Sequence, residues 1–154
     1  MEFLAELHPK IVHFPIALFF TYSLFEAAGV LLKKEYLNKA ALILLAIGIA
    51  SGVLALITGN QAYAIADLWE QQGATIPFKA MQEHQDYATI TMFYFTFLLV
   101  IRIYLALKKK FEGKIRYLII ILAFIGCYFV FLTGDYGGKL VYKHGVGTEL
   151  IKPE

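Results

Sequence analysis

Two histidines stand five residues apart in Leu7-His8-Pro9-Lys10-Ile11-Val12-His13-Phe14-Pro15-Ile16, at the mouth of the first long apolar run of the chain. Imidazole is the commonest side-chain metal ligand and is costly to place in lipid. The remaining histidines, His84 and His144, fall on the same side of the membrane by the charge argument below. Four imidazoles gathered at one membrane face make a metal or haem site the first chemistry to consider. A single interfacial histidine is commonly a polar anchor or cap, but four on one face with none in the opposite loops weigh towards a site.

The elements that must position these rings follow from composition. A chain of 154 residues that is 59% hydrophobic, with mean hydropathy +0.63, is too apolar for an ordinary soluble domain. Four apolar runs, at about 11–32, 40–58, 87–107 and 117–133, each approach the ~20 residues that a helix needs to cross the hydrocarbon core. They lack the alternation of barrel strands, so an all-α, four-helix transmembrane bundle is expected as one integral membrane domain over 1–154. Glu2 and Glu6 precede the first run where a signal peptide would be basic, so it reads as a span. Cys127 lies inside the fourth run without an intrachain partner and reads as packing.

Charge placement orients the spans. Lys33, Lys34 and Lys39 separate the first two, and Lys108, Lys109, Lys110, Lys114 and Arg116 separate the last two. By the positive-inside rule both short loops are cytoplasmic. Both termini and the outer loop at 60–86 then face the opposite compartment, the periplasm if the protein sits in a bacterial inner membrane. No basic patch faces outward, which argues against nucleic acid as a partner. Lipid is the obvious neighbour, and a homo- or hetero-oligomer is left open.

A weak internal repeat suggests two helical hairpins related by an axis along the membrane normal. Leu56-Ile57-Thr58-Gly59 ends the second span and Phe131-Leu132-Thr133-Gly134 the fourth, and His13 and His84 open the first and third. On one continuous helix His8 and His13 would point about 140° apart. Pro9 suits a first turn, Pro15 would disturb the next, and Pro77 would start the third helix. The stretch 62–71, with Trp69, reads as an amphipathic piece at the interface. Gly137 and Gly138 permit a turn or a close backbone approach, and the segment 140–147 would return His144 to the bundle mouth. Glu26 and Arg102, within the first and third spans, could pair or Arg102 could snorkel; a structural role is expected of both, and a proton relay through Glu26 is the alternative, with no second carboxylate along its helix to support it.

The motifs His8-Pro9-x-x-Val12-His13-Phe14-Pro15-Ile16-Ala17-Leu18 and Gly137-Gly138-Lys139-Leu140-Val141-Tyr142-Lys143-His144-Gly145-Val146-Gly147 resemble those of the bacterial predicted-membrane-protein family catalogued as domain of unknown function 2231. The resemblance spans nearly the whole chain. It implies a four-helix integral membrane protein, and some members are fused to Rieske-type or cytochrome-like modules, which implies electron transfer. His8, His13 and His144 carry over with the motifs.

The favoured reading is a b-type cytochrome that passes electrons within a larger assembly, with redox proteins docking on its outer face. Bundles hold haem iron between axial ligands from opposed helices at matched depth. The repeat makes His13 and His84 the favoured pair, while His8 and His144 could form a second pair or replace a partner. One haem b is expected and two are admissible. Lys10, Lys139 and Lys143 could meet propionates, Glu83 or Asp86 could orient a ring N–H, and 13 Phe with 10 Tyr could wall the macrocycle. Without Cys-x-x-Cys-His, c-type attachment is excluded. A copper or zinc site on the same histidines is the alternative, and a non-redox scaffold or assembly subunit the third class. No nucleophile–base set, phosphate loop or nucleotide fingerprint appears, which favours a carrier over a stand-alone enzyme.

Overall fold

The apolar runs fold into helices because lipid leaves the backbone no other partner. A computed structural model describes residues 2–148. It contains α1 (Glu2–Ile11), α2 (His13–Leu31), α3 (Glu35–Gln71), α4 (Phe78–Leu107) and α5 (Lys114–His144). The first two form nearly one rod: Val12 keeps helical dihedrals between them. Pro15 has no N–H for the Ile11 carbonyl, and the next bond, Ile16 N–H to Val12 O, is stretched to 3.5 Å. Four helical stretches are long and apolar enough to cross a membrane: Phe3–Leu31 and the lengths of α3, α4 and α5.

The expected outer loop at 60–86 is largely helical. The 37 residues of α3 run about 55 Å, well beyond a ~30 Å hydrocarbon core, and only residues 72–77 interrupt the path to α4. Trp69 packs with Tyr63, Ala74 and Phe78 against a small core of Ala66, Ile76, Met81 and Leu140, instead of forming a separate interfacial helix. Likewise α5 does not stop at Thr133. It continues to His144 and ends on Gly145, whose left-handed φ of 68° lets two N–H groups return to Val141 and Leu140.

Around the bundle, α2 packs on α3, α3 on α4, α4 on α5 and α5 on α2, which leaves α2 and α4 on a diagonal. Side chains meet across that diagonal. Phe19 and Phe95 stack at 3.9 Å with their planes 2° apart, both fully enclosed. Below them Glu26 meets Arg102, 76 residues away in sequence, and the short loops turn on left-handed Lys33 and Lys109, again 76 apart. Ala41, Leu45 and Gly48 of α3 match Ile119, Ala123 and Gly126 of α5 in burial, at a constant offset of 78. Two hairpins related by a pseudo-two-fold axis along the bundle account for all these pairs.

Candidate functional site

At the end of the bundle opposite the lysine loops, this symmetry brings two imidazoles together. His8 of α1 and His84 of α4, also 76 residues apart, lie with ring centroids 6.5 Å apart and planes at 73°. Each ring is half-buried and tied to the second helix of its own hairpin. His8 Nδ1 is 3.1 Å from both the Ala55 carbonyl and Thr58 Oγ1. His84 Nδ1 is 3.1 Å from the Thr133 carbonyl. A carbonyl can only accept, so each Nδ1 carries the proton and each Nε2 keeps a lone pair. That is the tautomer a metal-binding imidazole needs, and the carbonyl that orients each ring is already in place.

Glycines make the seats. A Cβ at Gly59 would stand 3.0 Å from His8 Cε1, and one at Gly137 would stand 3.1 Å from His84 Cε1. Both contacts are tighter than side chains normally accept, so each ring rests on bare helix backbone. Thr58 turns its hydroxyl to the Leu54 and Ala55 carbonyls, leaving its oxygen free to receive His8. Thr133 bonds Thr91 of α4 at 2.9 Å and so fixes the carbonyl that holds His84. The Thr-Gly pairs were visible as helix endings, but their use as seats was not. Gly59 and Gly137 are the structural equivalents, at the same offset of 78, so Thr133 occupies the level of Ala55, one turn from the sequence alignment of the two Thr-Gly pairs.

The pairing therefore differs from the expected one. His13 does not face His84; it is exposed on the far side of the first rod, as the ~140° separation from His8 requires. His144 is exposed at the end of α5, two turns beyond Gly137, instead of folding back over the mouth. Lys10 and Lys143 are exposed, while Lys139 is held by Asp135 and lies over the Tyr136 ring. Asp86 receives Gln82, and main-chain carbonyls orient the rings in place of Glu83 or Asp86. Among the described residues no three His, Cys, Asp or Glu side chains are grouped to hold a metal ion.

The opposite end holds the other polar pair. Arg102 Nε donates to Glu26 Oε2 at 3.0 Å, and both side chains are buried almost completely. Measured from His8 and His84, both lie 18 residues along, about 27 Å at 1.5 Å per residue, so pairing needs no snorkelling. Cys127 is a buried thiol that donates to Ser23 Oγ, in keeping with a packing role.

Long apolar helices with lipid-facing side chains such as Phe93, Phe97 and Phe131 define the class: a helical membrane protein. A family model described as predicted membrane protein, domain of unknown function 2231, matches residues 5–150, and the chain belongs to that family. No curated protein and no solved structure matches it.

Proposed function

We propose that the protein is a small membrane b-type cytochrome in which His8 and His84 would together hold one haem. The facing pair of Nδ1-protonated imidazoles carries this reading. The two rings, with centroids 6.5 Å apart, would supply the pair of nitrogens that a haem takes from the protein. The donor count fits as well: haem iron asks the protein for two axial nitrogens, whereas a structural zinc site takes four protein ligands. The α1 backbone packs on α3 and α2, and it is the His8 side chain that approaches α4.

Bound haem would supply a one-electron couple. The chain's part is to fix both rings, hold their tautomers through Ala55 and Thr133, and surround them with helix. The basic loops support a lysine end in the cytoplasm and a histidine end in the periplasm of a bacterial inner membrane. Electron donors and acceptors would then dock on the helical extension of α3 and α4 at that end.

The test is a pyridine haemochrome assay, with metal analysis, on protein purified in mild detergent from haem-replete cells. About one haem b per chain is expected from the single histidine pair. Colourless protein would contradict the reading. Stoichiometric copper or zinc in that protein would move the site to bare-metal chemistry, and neither metal would leave a scaffold.

A further inference from the structure

The Glu26–Arg102 pair is built incompletely for a structural ion pair. Buried guanidinium–carboxylate pairs offset their desolvation through bidentate geometry and full satisfaction of the remaining lone pairs. Here contact is single: Arg102 Nε takes Glu26 Oε2, its Nη2 reaches only to the Asn38 carbonyl at 3.5 Å, and its face lies 3.8 Å from the Phe111 ring. Glu26 Oε1 is buried with no partner, and so is Tyr22 Oη one turn earlier on the same helix face. Both side chains are completely enclosed.

The unpaired phenol and carboxylate oxygen lie four residues apart on one face of α2 and close enough to interact electrostatically, and buried polar atoms left without protein partners are the kind an internal water satisfies. The flanking charges choose the occupant. Arg102 repels a cation and Glu26 repels an anion, so a neutral hydrogen-bonding molecule is the species that fits. Around it stand Tyr22 on α2, Arg102 and Tyr94 on α4, and Cys127 on α5, while α3 contributes the Asn38 main-chain carbonyl, which accepts from Arg102. Towards the lysine end, Phe111 of the loop between α4 and α5 covers Arg102, and Arg116 donates to the Phe111 carbonyl at 2.6 Å.

We propose that Glu26 is a proton-binding site served by one internal water bridged to Tyr22, and that it exchanges protons with the lysine-loop face past Phe111. A proton taken from solvent on that face forms an O–H bond on Glu26. The pair then changes from net neutral to a single positive charge on Arg102. This site is independent of haem and lies about 27 Å from the histidine pair along the helices.

Infrared difference spectroscopy on the full chain in lipid, titrated with pH, tests it. A protonated-carboxyl C=O band should appear on acidification, shift down in D2O and be lost in Glu26→Gln. Phe111→Ala should exchange the band's deuteron faster than the wild type. Wild-type protein with no such band overturns the proposal however the variants fold. A band that survives Glu26→Gln does the same, and an unchanged exchange rate in Phe111→Ala overturns the lysine-face route.

Discussion

A ring resting on a glycine has no slack, and this makes the seats of His8 and His84 testable one residue at a time. In Gly59→Ala the new methyl would meet His8 Cε1 at 3.0 Å, and in Gly137→Ala it would meet His84 Cε1 at 3.1 Å. Each ring must yield by a few tenths of an ångström, which tilts it and strains its Nδ1 bond to the carbonyl. Either variant should therefore lower haem occupancy or shift the midpoint potential while the helix content, read by circular dichroism, is unchanged. The histidines themselves were legible in the sequence as four imidazoles on one face. Their pairing was not. The opposed directions of His8 and His13 follow from helix geometry, but which one points inward depends on the packing of α1 against α3. The two Thr-Gly pairs stand 75 residues apart, an offset that sets His84 beside His8, but His13 was favoured because it opens the first apolar run.

At the scale of elements, hydropathy located the parts of α2, α3, α4 and α5 that lipid would cover and missed where the helices end. Residues 60–71 and 78–86 are too polar to read as membrane, yet they remain helical because Ala66, Met81 and Leu140 give them a core of their own. Close packing deeper in the bundle is set by small residues that a hydropathy profile does not weigh. A Cβ at Gly126 would stand 2.5 Å from Phe95 Cζ, and Phe95 is fully buried and stacked on Phe19. Gly126→Ala should cost about 1–3 kcal/mol through overpacking. On the same helix a Cβ at Gly134 meets nothing within 4 Å. There alanine should stabilise by about 0.5–1 kcal/mol through helix propensity. Denaturation in mixed micelles would check the opposite signs.

The whole molecule is two similar hairpins that bring equivalent positions together: histidine beside histidine, phenylalanine stacked on phenylalanine, and, where the two halves differ, glutamate against arginine. The all-helical membrane bundle and its hairpins were readable from four apolar runs and two lysine loops. The closing of Glu26 on Arg102 was left open because, with His13 as the reference, the two stood at unequal depths. With His8 as the reference they stand level. Because the pair joins the two repeats across the diagonal, Arg102→Leu should leave Glu26 buried without its partner charge, so that folding at neutral pH must protonate it, and cost about 3–5 kcal/mol. Adding Glu26→Gln should recover much of that loss, and a double-mutant cycle in the same micelles would read the coupling.

The dithionite-reduced minus oxidised visible spectrum, taken on the purified wild type and on each histidine-to-alanine variant, bears most directly on the histidine pair. A sharp α-band and a shifted Soret band in the wild type, lost in His8→Ala and His84→Ala and kept in His13→Ala and His144→Ala, is the predicted result. A wild-type spectrum without haem bands, or bands that survive the loss of both His8 and His84, would contradict the account.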